Sequence, residues 1–342
     1  MQQWIPAKRI RQGTRAMETQ SPKEFDEGML DVGDGHSIYW RAQGPRDAPA
    51  MLIVHGGPGG AMNLKWAEVL EQDKWRVVFF DQRGCGKSTP FGRLEHNGID
   101  ALVGDMEKLR VALNIERWAL FGGSWGTTLG LAYGVAHPER CLGFLLRGVF
   151  LARREDIDWF LWDVRRVFPE AHRAFLDAIE AACGTRPTSA PQILALTEAP
   201  LARFDEAGTR LARAWTHYET TLSVVNKPEK EPSEEEKRPS AEANAAAISM
   251  ALLERHYMAN ELPPSPLLPR IGRIAHLPCR IVHGRFDMVC PADQALDLAA
   301  HWPGAELTVV NAAGHWTFEP GNVAALRAGA AALAETLGSV AA

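Results

Sequence analysis

A serine flanked by glycines is the feature of the sequence best suited to chemistry. Residues 122–126 read Gly-Gly-Ser-Trp-Gly, between the apolar run 118–121 and a helix-like segment that starts at Thr127. A serine between a strand and a helix lies on a strained turn, where side chains at the flanking positions would collide with the strand or the helix. Its hydroxyl then projects beside a helix N-terminus, where backbone N–H groups stabilise negative charge. The pattern predicts that Ser124 is a nucleophile.

Two later segments supply the partners that a serine nucleophile needs. A serine hydroxyl reacts poorly at neutral pH unless a general base takes its proton and a carboxylate orients that base. Asp287 follows the strand-like run 280–283, and His315 follows the strand-like run 307–310. Loops at the carboxyl ends of parallel strands meet at one edge of a sheet, so the order Ser, Asp, His brings the three side chains together. We therefore predict the triad Ser124, Asp287 and His315.

Backbone N–H groups beside the serine form the candidate oxyanion hole. Negative charge that develops on a substrate carbonyl oxygen requires preorganised donors. The N–H of Trp125, directly after the nucleophile, is one candidate. The glycine-rich loop 55–60 supplies the other, and Gly57 is the preferred donor. A phosphate cradle is the alternative for this loop, but it lacks the Lys-Ser/Thr ending. The segment 81–88 lacks the first glycine of such a cradle and is expected to form a tight turn.

Other histidines and a metal site are the alternatives to this triad. His55 and His283 each lie at the end of a strand-like run next to glycine, where a bracing role is expected. A metal site is the other interpretation for the 11 histidines, yet no H-x-x-x-H spacing or paired Cys/His cluster supports one. The sequence therefore predicts neither a metal ion nor an organic cofactor.

Strand-like and helix-like patterns alternate on both sides of a long interruption. Short apolar runs of the kind buried in a parallel sheet alternate with helical patterns up to residue 150, and the alternation resumes at residue 280. This order predicts a doubly wound α/β domain. The interruption has helical periodicity, which favours a helical cap inserted into the core over two independent domains. The predicted strands include 51–54, 76–80, 118–121, 143–149, 280–283 and 306–311, with helices near 62–71, 100–113, 127–137, 292–301 and up to about 337.

These patterns divide the chain into four parts. An N-terminal arm, residues 1–28, precedes the first part of the α/β core, residues 29–150. The helical cap spans residues 151–268, and the second part of the core spans residues 269–342. Within the cap, residues 227–240 are charged and contain prolines, which predicts a mobile loop.

Composition and charge argue against several classes of protein. The 342 residues are 46% hydrophobic and 23% charged, with a formal net charge of −5, as in soluble globular proteins. This balance, without a basic stripe, predicts no nucleic-acid partner. No apolar run is long enough to predict a membrane span, and the basic N-terminus lacks the apolar centre of a secretory signal. The five scattered cysteines favour a reducing compartment, so the cytoplasm is the expected location; oligomeric state is left open.

A set of motifs carries a closer resemblance. It consists of His-Gly-Gly-Pro-Gly at 55–59, Asp-Gln-Arg-Gly-Cys-Gly at 81–86, Gly-Gly-Ser-Trp-Gly at 122–126, Leu-Arg-Gly-Val-Phe at 146–150, Val-His-Gly-Arg-Phe-Asp-Met-Val-Cys-Pro at 282–291 and Gly-His-Trp at 314–316. From about residue 29 to the C-terminus, the chain resembles the proline iminopeptidases, aminopeptidases that remove an N-terminal proline. The resemblance implies the α/β-hydrolase fold with an inserted helical cap, and the same triad.

The resemblance also implies how the substrate is recognised. The family binds the free N-terminus of its substrate with glutamates from the cap, and its W-x-x-W-E pattern is similar to residues 215–219 and a second pattern to residues 253–257. Glu219 and Glu254 are therefore the implied ammonium-binding residues, and Phe150 is an implied wall of the proline pocket. Solvent-exposed helix charges are the alternative for both glutamates. The implied partners are small peptides with a free N-terminal proline. A broader aminopeptidase, an esterase or amidase, or a non-catalytic binding module are the alternative functions.

Overall fold

One eight-stranded sheet organises the residues that the computed structural model describes, namely 25–71, 73–225, 240–260 and 266–341. The spatial order is β1-β2-β4-β3-β5-β6-β7-β8, and the predicted loop 227–240 lies outside the described residues except for Ser240. The strands are β1 (Phe25–Gly33), β2 (His36–Gln43), β3 (Ala50–Val54), β4 (Arg76–Phe80), β5 (Trp118–Ser124), β6 (Cys141–Val149), β7 (Cys279–Gly284) and β8 (Ala305–Val310). The helices are α1 (Ile99–Ala112), α2 (Trp125–Ala136), α3 (Arg154–Leu161), α4 (Pro169–Cys183), α5 (Ala190–Ala202), α6 (Glu206–Ser223), α7 (Ala241–Ala259), α8 (Asp293–His301) and α9 (Pro320–Ala341).

Both faces of the sheet are covered, which is why its central strands are apolar throughout. All five residues of β3 are buried. Since side chains alternate between the two faces of a strand, Leu52 packs in the same core cluster as α1 and α2, whereas Met51 and Ile53 pack in the cluster that includes α9. Strands β3 to β8 run parallel, so their carboxyl ends meet at one edge.

The first hairpin begins earlier than the sequence indicates. β1 pairs with β2 in antiparallel register from Phe25, which lies opposite Gln43, so ordered structure starts before the predicted core boundary at residue 29. The extension is held by cross-strand contacts: the Arg41 guanidinium lies 3.6 Å from the centre of the Phe25 ring. Such cross-strand pairs stabilise a hairpin. In an exposed segment they produce no alternation of apolar and polar residues from which the strand could be predicted.

The helix predicted near residues 62–71 is instead a short 3₁₀ helix, Leu64–Val69. Asn63 caps its start by accepting a hydrogen bond from the Lys65 N–H at 3.0 Å. Leu70 is already extended, because the chain must turn towards β4. A helix is thus present where it was predicted, but it is shorter than the range 62–71 and has the tighter 3₁₀ form that occurs in short pieces.

In the described part of the segment between β6 and β7 lie the helices α3 to α7, which are called the cap helices below. Aromatic side chains join them: the rings of Phe175 in α4 and Tyr218 in α6 stack with centroids 4.7 Å apart, and Trp215 meets Phe175 edge-on at 5.4 Å. The exact limits of the cap, residues 151 and 268, stay a prediction.

None of the helices in the described ranges has the combination of length and apolar character that crossing a membrane requires.

Candidate active site

Ser124 lies at the sharp junction of β5 and α2. Its backbone has φ 57° and ψ −129°, a strained conformation for a residue with a side chain. Glycines are required on both sides of the serine because neighbouring backbone atoms lie too close for a side chain there. A methyl group at Gly122 would lie 2.4 Å from the carbonyl oxygen of Gly126, and one at Gly126 would lie 2.0 Å from that of Val54. Only this glycine pattern allows the strand, the turn and the helix to pack together around the serine.

Asp287 and His315 form a hydrogen-bonded pair on the loops after β7 and β8. The His315 Nδ1–H donates to Asp287 Oδ2 at 2.7 Å. The other carboxylate oxygen, Oδ1, accepts from the backbone N–H groups of Val289 at 3.1 Å and Cys290 at 2.8 Å. With Nδ1 carrying the proton, Nε2 of His315 is the nitrogen free to act as a base.

The backbone of β6 brings this pair beside the serine. Ser124 lies opposite Val149 in the parallel register of β5 and β6. The preceding residue, Gly148, has φ 50°, and a methyl group there would lie 3.0 Å from Cε1 of His315. The imidazole therefore lies directly over the end of β6, next to the strand that carries the nucleophile. The structure brings all three predicted triad residues to the carboxyl edge of the sheet.

Electrostatics around Asp287 favour its ionised form. Burial works against ionisation, but His315, His283 and the backbone donors outweigh it and hold the pKa of Asp287 below its usual range. His283 lies behind the pair as a brace: its Nδ1 accepts from the Val149 N–H at 3.1 Å, and its Nε2–H donates to the Cys290 carbonyl at 2.8 Å. Burial lowers the pKa of His283, which favours the neutral ring.

Arg147 helps to position the His315 loop, a role that the sequence analysis did not predict. Its Nη1 donates to the backbone carbonyl of His315 at 2.5 Å, and its guanidinium lies 5.5 Å from the Trp66 ring. Gly123 makes room for it, since a methyl group at that position would lie 2.6 Å from Arg147 Nε. The arginine sits inside the motif 146–150, but a buried arginine in a strand carries no sequence signal for contact with a distant loop.

The two predicted oxyanion donors lie on either side of the serine. Gly57 lines the same cavity as Ser124 and has φ 113°, a conformation that glycine adopts readily. Trp125 is the first residue of α2, where backbone N–H groups lack partners within the helix. His55 braces the loop: its Nδ1–H donates to Gly56 O at 2.9 Å, and its Nε2 accepts from the Gln82 N–H at 3.1 Å.

The cap helices contribute two carboxyl groups to the cavity in front of Ser124. Glu219 lies on α6 and Glu254 on α7, where Glu254 is 1% exposed. The Trp215 Nε1–H donates to Glu254 Oε2, and both glutamates line the same cavity. The solvent-exposed alternative is therefore wrong for Glu254. The cavity is lined by Gly57, Ser124, Phe150, Phe160, Glu219, Glu254, Val289 and Cys290.

The glutamate pair is short of hydrogen-bond donors. Burial raises the pKa of Glu254 well above its usual range, and the neighbouring Glu219 raises it further. Burial also raises the pKa of Glu219, although His315 opposes this shift. Two carboxyl groups in one desolvated space cannot both ionise without a cation between them. The arrangement is suited to a ligand that brings a positive charge and N–H donors.

Three further wall residues were not predicted from the sequence, namely Phe160, Val289 and Cys290. Phe160 lies on α3 and is 3% exposed. On sequence it is one apolar residue of an amphipathic helix, so nothing separates it from ordinary core. Cys290 lies in the motif 282–291, and burial together with Asp287 raises the pKa of its thiol well above its usual range.

One group in the described part of the chain has metal-like spacing. Asp287, Cys290 and His315 each offer a ligand atom, and these atoms lie within 4.8 Å of one another. The thiol is held neutral by burial, and the carboxylate oxygens already accept three hydrogen bonds. This chemistry favours a hydrogen-bonded Asp–His pair over metal ligation, because a cysteine binds metals as the thiolate.

The fold and the strand-to-helix serine define a class of protein. A family model described as the alpha/beta hydrolase fold matches residues 49–321. The crystal structure of a proline iminopeptidase from Mycobacterium smegmatis aligns with a TM-score of 0.62 at 19% identity, covering 92% of this chain and 98% of that one. The chain is thus an α/β hydrolase.

Sequence relatives place the chain more narrowly. A proline iminopeptidase from Xylella fastidiosa is 41% identical over 309 residues, covering 88% of this chain and 94% of the relative. A proline iminopeptidase from Arabidopsis thaliana is 38% identical over 305 residues, covering 87% of this chain and 77% of the relative. The chain belongs to the proline iminopeptidase family of α/β hydrolases.

Proposed function

We propose that this protein is a serine exopeptidase that releases N-terminal proline from small peptides, with Ser124, Asp287 and His315 as its catalytic triad. The observation that carries the proposal is the presence of Glu219 and Glu254 in the cavity that also contains Ser124. A buried and a half-buried carboxyl group beside a nucleophile suit a substrate whose amino group lies close to the reacting carbonyl. The two proline iminopeptidases that are 41% and 38% identical to this chain support the same substrate.

The triad performs acyl transfer in two halves. Ser124 Oγ attacks the carbonyl carbon of the N-terminal proline while its proton passes to His315 Nε2, and Asp287 stabilises the imidazolium. The C–N bond then breaks, and His315 donates the proton to the leaving amine. Water, deprotonated by the same imidazole, hydrolyses the prolyl ester and restores the serine.

The oxyanion of each tetrahedral intermediate is bound by the backbone N–H groups of Gly57 and Trp125. Backbone donors at a helix start and in a glycine loop are fixed before the reaction, so they require little reorganisation as charge develops. The dipole of α2, whose first residue is Trp125, adds to this stabilisation. Arg147 stabilises the loop that carries His315 by donating a hydrogen bond to the backbone carbonyl oxygen of His315.

The glutamate pair selects the first residue of a peptide. The ammonium of an N-terminal proline has two N–H groups, and Glu219 and Glu254 offer an acceptor to each. The aromatic walls Phe150 and Phe160 provide an apolar surface for the pyrrolidine ring. Helices α3, α6 and α7 each contribute a side chain to this end of the cavity. A blocked amine or an internal proline would bring no positive charge to the two glutamates.

The cytoplasm is the proposed location. All five cysteines are free thiols, and four of them are buried. Unpaired thiols are usual in a reducing compartment.

A panel of aminoacyl arylamides tests the proposal. We expect prolyl arylamide to be cleaved faster than the other aminoacyl arylamides, and N-acetylprolyl arylamide to resist cleavage, since acetylation removes the positive charge. A fluorophosphonate probe should label Ser124, with Ser124→Ala as the unlabelled control. Cleavage of N-blocked esters in preference to free prolyl arylamide would contradict the proposal and indicate an esterase.

A further inference from the structure

Helix α7 is a cap helix by position, but buried hydrogen bonds tie it to the core on both sides of Glu254. The Ser249 Oγ–H donates to the carbonyl oxygen of Gly59 at 2.7 Å. Eight residues further along the helix, the Tyr257 O–H donates to Asn97 Oδ1 at 2.8 Å. Glu254 lies between these two attachments, so its distance from the core is fixed at both ends.

The Ser249 attachment meets the loop that carries Gly57. A methyl group at Gly59, where φ is 92°, would lie 2.3 Å from the backbone oxygen of Ser249, so helix and loop are in direct backbone contact. A methyl group at Gly57 would lie 3.1 Å from the Met250 sulfur. The glycine loop is therefore shaped against α7 as well as against the core.

The Tyr257 attachment meets the other proposed oxyanion donor. The Tyr257 and Trp125 rings have centroids 4.6 Å apart. The Trp125 Nε1–H in turn donates to Gln82 Oε1 at 3.0 Å. One helix thus contacts the segments of both donors and carries the carboxyl group that faces the substrate amine.

We propose that Ser249 is a positioning residue for the reaction. Its hydroxyl locks the loop of Gly57 to α7, and thereby sets the distance between the oxyanion donor and the amine-binding Glu254. This inference rests on the proposed exopeptidase function. A peptide held at its amine presents its carbonyl at one place only, so the donor must be fixed relative to the glutamate rather than only to Ser124. Misplacement by about 1 Å costs on the order of 10²-fold in rate.

Ser249→Ala removes the lock with little change in volume. The buried Gly59 carbonyl loses its partner, and the loop relaxes to find another. We expect kcat for prolyl arylamide to fall about 10- to 100-fold, with a smaller change in KM. Labelling of Ser124 by a neutral organophosphate should also slow, by about 10-fold, because that reaction uses the oxyanion donors. Glu254→Gln, by contrast, should affect only the prolyl substrate.

The matched control is Thr197→Val in the cap. The Thr197 hydroxyl is equally buried and donates to Ile193 O at 2.7 Å within α5, without touching the core loops. It should lower Tm but leave both rates unchanged. Ser249→Thr, which keeps the hydroxyl, should restore much of the rate lost in Ser249→Ala.

Three outcomes decide between the possibilities. If Ser249→Ala lowers Tm as Thr197→Val does but retains both rates within about twofold, Ser249 is merely structural and the inference is wrong. If Ser249→Ala does not fold, Ser249→Cys replaces it, because the thiol has similar volume and is only a weak donor. A lowered Tm in that variant shows that the hydrogen bond to Gly59 is weakened, and wild-type rates together with a lowered Tm would equally overturn the inference. An unmodified protein that labels at Ser124 but does not cleave prolyl arylamide would refute the proposed function instead.

Discussion

Two buried carboxyl groups in this site have opposite pKa shifts. Asp287, on a loop of the core, has a pKa below its usual range, whereas Glu254, on a cap helix, has a pKa well above it. Burial penalises both charges alike. The difference lies in their partners, since Asp287 accepts two backbone N–H groups and an imidazole N–H, and Glu254 accepts one indole N–H and faces another carboxyl.

This difference matches two separate tasks. A group that stabilises an imidazolium in every cycle has to be ionised in the free protein, so the fold supplies all of its donors. A group that binds a cationic substrate can be left short of donors, because the substrate supplies the missing charge and N–H groups. The carboxylate of the core therefore has its hydrogen-bond donors in the free protein, whereas the carboxyl group of the cap lacks donors until a cationic substrate binds. The comparison is tested by variants that separate chemistry from recognition.

The largest effect is expected for Ser124→Ala, which removes the chemistry and leaves recognition intact. Turnover of prolyl arylamide should fall on the order of 10⁶-fold, as for nucleophile loss in serine hydrolases. Tm should change little, because the hydroxyl lines the cavity and contributes little to the packing of the core. Calorimetric titration should still detect binding of a prolyl ligand. Activity close to that of the wild type would show that another residue is the nucleophile.

Asp287→Asn should follow, with a loss on the order of 10⁴ in kcat. The amide can no longer hold the imidazole tautomer with Nδ1 protonated, although the backbone donors to Oδ1 stay in place. Both prolyl arylamide turnover and organophosphate labelling of Ser124 should slow, since each needs the base. Retention of fast labelling would contradict the role of Asp287 in activating the serine.

The triad and the sheet could be predicted because they depend on local rules. Strand, turn and helix around Ser124 require glycines at fixed positions, and the loops after β7 and β8 lie at one sheet edge whatever the side chains around them. The glutamates obey no such rule. Glu254 on α7 reads like any helix-face charge, and only the family resemblance indicated it; its burial depends on how α6 and α7 pack. Arg147 and Ser249 act through contacts with loops far away in sequence, which no local pattern encodes.

Glu254→Gln and Glu219→Gln should impair recognition while sparing the chemistry. Removing one partner of a desolvated charge pair costs about 3–5 kcal/mol, so kcat/KM for prolyl arylamide should fall about 10²- to 10³-fold or more. Labelling of Ser124 by a neutral organophosphate should stay within about twofold, since that reagent has no ammonium. Glu242→Gln, an exposed position on the same helix, is the control and should change neither rate. Full prolyl activity in both cavity variants would remove the physical basis for amine recognition.

The smallest effect, on stability, sharpens the comparison most directly because the two acids should respond to pH with opposite signs. Glu254 keeps its proton in the folded protein over a range where the unfolded chain, with an ordinary pKa of about 4.3, has lost it. The native state then binds more protons, so the free energy of unfolding falls as pH rises through that range. Glu254→Gln cannot ionise, so its stability relative to the wild type should rise as the pH increases above the ordinary value of about 4.3.

Asp287 behaves in the reverse way. Its lowered pKa contributes stability above the ordinary aspartate value of about 3.9, and this contribution is lost as pH falls through the folded pKa. The stability difference between the wild type and Asp287→Asn should therefore shrink as the pH falls below about 4. Urea unfolding across this pH series measures both differences. A Glu254→Gln difference that does not change from pH 5 to pH 8 would mean that Glu254 is already ionised in the free protein, and that its partners resemble those of Asp287 after all.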